Sequence, residues 1–325
     1  MNAFKLAQPR TADEVAALLA AARPGLVLMA GGTDLLDEMK NGVVSPEVVV
    51  DLQAVQGLAG IVPEKDGLRI GAMTTVARLA DDPTVARDYP GQRQAALSLA
   101  TPQLRAVGTV GGNLCQRPRC WYYRDPQAVC RKKGGSRCFA ARGRNKYHAI
   151  FGGGLCSIVF PSDLAPMLIS LGARVEIGRS GGEKTILLEE FFQPPAVNVR
   201  RENVLEPGEF VRSVKVPAPR PGQKSVYVKL KERGTWDFAL VSAAATAVVG
   251  GKKLASISLV LGGVAPIPWR LTKAEEILRG QTVTEELVKR AAAEAIKDAS
   301  PLAENGYKTK LLAAALKEAV LGLVA

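Results

Sequence analysis

At 325 residues, 47% of them apolar, the chain has material for two or three cored domains and is no disordered polypeptide. Its 43 Lys and Arg outnumber 31 Asp and Glu for a net charge of +12, which suits nucleic acid, cofactor phosphates or an anionic metal cluster alike. No run reaches the roughly 18 apolar residues a membrane span needs, Asn2 to Gln8 does not look like a secretory signal, and all five Cys fall between Cys115 and Cys156, which favours a metal site over an extracellular disulfide framework.

In chain order, Ala3 to Ala7 predicts a short strand. Thr11 with Glu14 three residues on is a capping-box signature for a helix running to about Ala22. Leu26 to Met29 and the valine-rich Glu47 to Leu52 predict buried strands of a small α/β unit. A second unit starts near Gly60, with a strand at Gly67 to Ile70, a helix at Gln94 to Ala100 and a glycine-rich stretch at Gly108 to Asn113. The cysteine region interrupts this unit as an insertion. Pattern returns with a strand at Ser157 to Phe160, a helix at Leu164 to Leu171 and a strand at Arg174 to Ile177. Prolines and a glycine crowd Val216 to Gln223 and predict a linker. Beyond it come strands at Ser225 to Lys231, Ser242 to Val249 and Ala255 to Leu261. Helices follow at Lys273 to Leu278, Glu285 to Ala299 and Lys308 to Leu321.

Two glycine stretches carry the first chemical signal. Ala30-Gly31-Gly32-Thr33-Asp34-Leu35 directly follows a strand, where paired glycines let backbone N–H groups approach a diphosphate and Thr33 adds a hydroxyl. Gly108-Thr109-Val110-Gly111-Gly112-Asn113 repeats that chemistry, which points to a ligand with a long anionic middle. Neither stretch is a Rossmann fingerprint or a Walker loop.

Cys120, Cys130, Cys138 and Cys156, separated by nine, seven and seventeen residues, carry the second signal. Thiolates are the ligands of iron–sulfur clusters, and ten Lys and Arg between Arg117 and Lys146, against Asp125 as the one acid, would offset a cluster's negative charge. Zinc also takes four thiolates, but its structural sites bring cysteines in pairs two to four residues apart, and these four make no such pair. Cys115 reads as a small buried apolar residue outside the set, and His148, the lone histidine, as a packing or hydrogen-bonding group. The insertion reads as separate from the diphosphate loops, so Cys138→Ser is expected to strip the iron and leave much of the other ligand bound.

The order of these motifs, followed by Pro161-Ser162-Asp163, Leu205-Glu206-Pro207-Gly208-Glu209, Val214-Lys215-Val216-Pro217, Lys229, Arg233, Asp237-Phe238-Ala239 and Gly262-Gly263-Val264-Ala265-Pro266, resembles the FAD-binding subunit of the xanthine dehydrogenase, or molybdenum hydroxylase, family along nearly the whole chain. That resemblance implies an α+β chain: a two-subdomain FAD-binding fold of the xanthine dehydrogenase and vanillyl-alcohol-oxidase type with a Cys-rich insertion, plus a C-terminal α+β domain. The implied boundaries are 1–58, 59–217 with the insertion at about 115–156, and 222–325. It also implies FAD contacts from Met29, Ala30, Gly31, Gly32, Thr33, Asp34, Leu35, Thr109, Gly112, Asn113, Asp163, Leu205 and Lys229, although on its own terms Lys229 reads as a solvated strand residue. Arg117-Pro118-Arg119-Cys120-Trp121-Tyr122 and Asn145-Lys146-Tyr147-His148 resemble the branch, including bacterial aldehyde oxidoreductases, whose FAD subunit holds a [4Fe-4S] cluster.

The function so implied is electron transfer, with no catalytic side chain in this chain. A large molybdopterin-binding subunit oxidises an aldehyde, xanthine or N-heterocycle, a small [2Fe-2S] subunit relays electrons, and FAD here passes them to ferredoxin, quinone, NAD or oxygen. A hydroxybenzoyl-CoA reductase-like subunit running the opposite flow is the alternative. A basic, zinc-stapled nucleic-acid-binding protein is the rival of another class, and the loop's few aromatics speak against it. The expected compartment is the cytoplasm, with export on a partner's signal left open.

Overall fold

A computed structural model describes residues 1–21 and 25–325. β1 (Lys5–Ala7), β2 (Leu26–Met29) and β3 (Val48–Asp51) form a parallel sheet in the order β1-β3-β2. β4 (Ile61–Glu64), β5 (Gly67–Gly71), β6 (Arg174–Arg179), β7 (Gly182–Leu187) and β8 (Phe210–Pro217) form an antiparallel sheet in the order β4-β5-β8-β6-β7. β9 (Gln223–Leu230), β10 (Val241–Gly250), β11 (Lys253–Gly262) and β12 (Trp269–Arg270) form a third, antiparallel sheet in the order β12-β11-β10-β9. The fold is therefore α+β.

Local chemistry explains several element ends. Thr11 caps the helix Ala12–Ala20, its hydroxyl accepting from the Glu14 N–H at 3.2 Å, while the Glu14 carboxylate turns to the Arg10 N–H at 2.6 Å. The expected end of that helix, Ala22, lies outside the described residues. The helix expected at Gln94 spans Pro90–Ser98, because a proline is favoured in the first turn of a helix, where a backbone N–H is dispensable. Ser157 to Phe160 is no strand: Phe160 donates to the Ala265 carbonyl at 2.9 Å and Ser157 accepts from the Ala149 N–H, so its backbone is satisfied by loops. The expected linker shrinks as well, since Val216 and Pro217 complete β8 and Gln223 opens β9.

β10 is buried from Val241 to Ala247 because both its faces are covered. Helices Thr272–Leu278, Glu285–Ile296 and Tyr307–Gly322 share a core with one face of its sheet, around Ala243, Ala245, Leu259, Leu312 and Leu316. On the other face Ala244 and Val260 join the core of the second sheet, with Leu164, Leu168 and Val214. The third sheet is thereby locked onto the second. Phe210, at the start of β8, packs with Val15, Val50 and Leu58 and so ties the first sheet to the second. Among the described residues no helix is long and apolar enough to cross a membrane.

Candidate functional site

The chain ends of parallel strands β2 and β3 open on a cleft of ≈ 860 Å³ that reaches across to the second sheet. Cofactor pockets are commonly of roughly 300–1,000 Å³ and form beyond the carboxyl ends of parallel strands. One wall is the turn Ala30 to Leu35, and beside it lie Thr109, Gly112 and Asn113. The two glycine stretches, 76 residues apart between Gly31 and Val107, meet backbone to backbone: a Cβ built on Gly31 would stand 2.0 Å from the Val107 carbonyl oxygen. Gly32 has φ +70°, a left-handed conformation that side chains disfavour.

The second stretch is a helical turn, which the glycines had hidden. Helix Val110–Cys115 is capped by Thr109, whose hydroxyl accepts from the Gly112 N–H at 3.1 Å. Gly111 approaches Ala72 so closely that a Cβ would lie 2.8 Å from the Ala72 Cβ, and its N–H donates to the Ala72 carbonyl at 2.7 Å. The Asn113 side-chain oxygen accepts from the Ser162 hydroxyl at 2.5 Å, which fixes the amide toward the cleft.

Asp163 and Leu205 also line the cleft. Lys229 stands behind Asp163 and is not solvated: its side chain is 3% exposed, and it donates to the Asp163 carboxylate at 2.8 Å and to the Ser98 carbonyl at 3.1 Å. Tyr227 donates its hydroxyl to the other Asp163 oxygen at 2.8 Å. Met29, the last residue of β2, lies under the Gly32 turn with its sulfur 3.5 Å from where a Gly32 Cβ would sit. Neither Met29 nor Lys229 is itself a wall of the cleft. Sequence reasoning missed Arg117, Arg119, Tyr123, Trp236 and Ala100 as cleft residues. Ala100 had no signal short of its φ of +46°. The arginines were visible only as part of a basic loop.

Cys120, Cys130, Cys138 and Cys156 line one small void together with Tyr122, Tyr123, Lys132 and His148. Among the described residues no three His, Cys, Asp or Glu side chains stand close enough to hold a single metal ion. Burial pushes the Cys120 thiol up to about 12 and the Cys156 thiol up to about 11. The His148 Nε2 lies 3.2 Å from the Cys120 sulfur, and burial, with Lys308 nearby, pulls the imidazole down to about 4, so it is neutral. Cys115 borders the cleft and not the void.

The insertion is not separate from the diphosphate loops. Its first segment, Arg117 to Arg124, lies along the helix Leu35–Lys40 that follows the Gly31-Gly32 turn. Burial opposes charge on Asp34, but the Arg119 and Arg124 guanidiniums and the Arg117 N–H at 2.6 Å outweigh it and hold the carboxyl below its usual range. The spacing of charges in sequence gave no hint of this, because the partners are more than 80 residues apart.

A second tie joins the insertion to the C-terminal helix. Lys308, fully buried, donates to the Tyr147 carbonyl at 3.0 Å and to the Gly263 carbonyl at 2.7 Å. Burial pushes its ammonium down to about 7 from 10.5. The cost of the buried charge is therefore fully present below pH 7 and is relieved as pH rises, because the unfolded chain then holds more protons than the folded one. The unfolding free energy of the wild type is expected to gain about 2 kcal/mol on that of Lys308→Met between pH 7 and pH 9. Chemical denaturation at the two pH values measures it, and a constant difference would contradict it.

The residues fit a dinucleotide: the cleft has the volume, the turns are bare of side chains at their contact, and backbone donors and arginines supply positive potential for a diphosphate. The four thiols line one small void, without the close grouping that a bond of roughly 2.3 Å to zinc demands.

Residues 2–219 match the family model described as the FAD binding domain in molybdopterin dehydrogenase, and residues 225–323 match the CO dehydrogenase flavoprotein C-terminal domain. The chain is 39% identical to the aldehyde oxidoreductase FAD-binding subunit PaoB of Escherichia coli, over 98% of this chain and 99% of that one. It is 27% identical to the carbon monoxide dehydrogenase medium chain of Afipia carboxidovorans, over 98% and 96%. The solved carbon monoxide dehydrogenase of Hydrogenophaga pseudoflava contains a chain that superposes with a TM-score of 0.80 at 26% identity, covering 100% of this chain and 99% of that one.

Proposed function

Because the chain belongs to the family of FAD-binding flavoprotein subunits of the molybdenum hydroxylases, a family of oxidoreductases, we propose that it is the FAD- and [4Fe-4S]-binding electron-transfer subunit of an aldehyde-oxidising complex. The observation that carries the FAD part is the backbone contact of two distant glycine stretches on one wall of the cleft. FAD supplies interconversion of one- and two-electron transfer, and the cluster one-electron transfer.

This chain's residues bind and orient. Gly31, Gly32 and Thr33 offer the diphosphate N–H groups, Thr33 and Thr109 hydroxyls and Asn113 its side-chain amide, with no Cβ at Gly112 in the way. Asp163, held by Lys229 and Tyr227, presents a fixed carboxylate to the cleft. Cys120, Cys130, Cys138 and Cys156 would hold the cluster, and His148, its Nε2 3.2 Å from the Cys120 sulfur, would stabilise a thiolate there in the tautomer protonated at Nε2. The partners are a large molybdopterin-binding subunit and a small [2Fe-2S] subunit, since the relatives are medium chains and FAD-binding subunits by name. The 39% identity to an aldehyde oxidoreductase subunit favours an aldehyde over a xanthine or N-heterocycle as the complex's substrate.

The complex purified without oxygen is expected to show flavin bands over a broad iron–sulfur shoulder, and this chain to carry one FAD and about four iron atoms. A colourless chain, or one holding zinc, overturns the reading.

A further inference from the structure

Tyr123 is the one described residue that lines both the cleft and the thiol void. It belongs to the arm Arg117 to Arg124, which also contains Cys120, and that arm takes every acidic side chain of the turn and helix beside the diphosphate wall. Arg124 donates to Asp34 at 2.6 Å and to Asp37 at 3.1 Å, and Arg119 pairs with Asp34. Tyr123 donates its hydroxyl to Glu38, 4% exposed, at 2.7 Å, and accepts from the Arg117 Nε at 2.9 Å. Arg117 in turn pairs with Glu202 at 2.9 Å, and Glu202 pairs with Lys132, which borders the void. The held helix is continuous with the turn: Leu36 N–H donates to the Gly32 carbonyl at 3.0 Å and Glu38 N–H to that of Asp34 at 3.2 Å.

We propose that Tyr123 and Arg124 are positioning residues that couple the two cofactor sites, so that a cluster bound at Cys120 holds the Gly31–Asp34 turn in its FAD-binding form. The proposal rests on the FAD and cluster assignments above. The arm is otherwise a loop, with one short helix at Trp121–Arg124. Its backbone has no strand partner among the described residues, so a tether at Cys120 adds to the ion pairs of Arg117, Arg119 and Arg124 in holding it. Without that tether the arm is held by its ion pairs alone, and the guanidiniums fix Asp34 less firmly. Coupling of this kind is reciprocal, so bound FAD protects the cluster as the cluster tightens FAD.

FAD affinity is to be measured by titrating the flavin-depleted complex, with iron counted in every sample. Cys138→Ser is expected to lose its iron and to bind FAD about 10-fold more weakly. Arg124→Gln is expected to show the same loss with its iron intact, Arg124→Lys to recover part of it, and the Cys138→Ser/Arg124→Gln pair to be no weaker than either alone, because both break one linkage. Should the Cys variant fail to fold, removing iron from the wild type with an anaerobic chelator replaces it, and FAD must slow that removal. An iron-free complex that binds FAD like the wild type overturns the coupling, as do additive losses in the double variant. Full iron in Cys138→Ser would instead overturn the ligand set, and a wild type that takes no FAD the cleft assignment; the coupling falls with either.

Discussion

Gly31→Ala is expected to abolish flavin retention, with FAD affinity reduced roughly 100-fold or more, equivalent to about 2.7 kcal/mol or more. The added carbon would stand 2.0 Å from the Val107 carbonyl oxygen and 2.8 Å from its carbon. Neither neighbour is the flexible end of a side chain, so the two backbones must separate. Separation breaks the wall where both glycine stretches meet, and donors from Thr33 and Thr109 no longer face one diphosphate. Gly32→Val acts differently: φ of +70° strains any L side chain, and its Cβ presses on Leu36 at 3.0 Å. Gly306→Ala serves as the control, since its Cβ meets nothing within 4 Å at an ordinary helical φ of −59°. Flavin-to-protein ratio and an FAD titration measure the effect. Unchanged flavin content in Gly31→Ala, with the complex intact, would contradict the placement of the diphosphate.

That contact also shows what was legible in the sequence. Each glycine stretch pointed locally to a diphosphate, because paired glycines beside a hydroxyl leave backbone donors bare, although a tight turn accounts for a single Gly-Gly as well. Their apposition did not, since pairing across 76 residues depends on β5: Ala72, just beyond that strand, accepts from Gly111 and brings the second stretch up to the first. Apolar runs such as Leu26–Met29 and Ser242–Val249 were legible because burial on a sheet needs little else. β8 was not read as a strand, although it is the centre of the second sheet, because Arg212 and Lys215 break up its apolar run; their long side chains reach ion pairs with Glu183 and Glu176 at the surface. Ser157 to Phe160 failed in the opposite sense, since an apolar run can be buried in loops as well as in a sheet.

The cysteines stood out in the sequence by residue type and not by spacing, and the four of them line one void. The arm's grip on Asp34 was illegible for an electrostatic reason. A run of ten cations looks like compensation for one anionic group, and only geometry divides it between the void, with Lys132, and the first glycine turn, with Arg119 and Arg124. Part of the net charge that suited nucleic acid in composition is thereby spent inside the molecule on Asp34, Asp37 and Glu202.

Lys229→Met tests the other wall. Lys229 and Asp163 are 3% and 5% exposed, and each is the other's only charged partner among the described residues. Removing the ammonium leaves a buried carboxylate with one neutral donor, Tyr227, a change that costs about 3–5 kcal/mol when a buried pair is broken on one side. A fall in the apo-protein's unfolding free energy of that size is expected, together with loss of FAD. The variant alone cannot tell a structural role from a cofactor role, because either explains both losses. Lys229→Met/Asp163→Leu separates them. Replacing both charges with apolar groups of similar size leaves no buried charge uncompensated, so most of the stability should return. The carboxylate that lines the cleft does not return with it, and FAD binding should stay weak if Asp163 orients the cofactor. Recovery of FAD binding along with stability would instead assign the pair to the core, with Asp163 no more than a spectator at the cleft wall. A single variant as stable as the wild type would show that the Lys229 ammonium does not carry the buried charge of Asp163 at all.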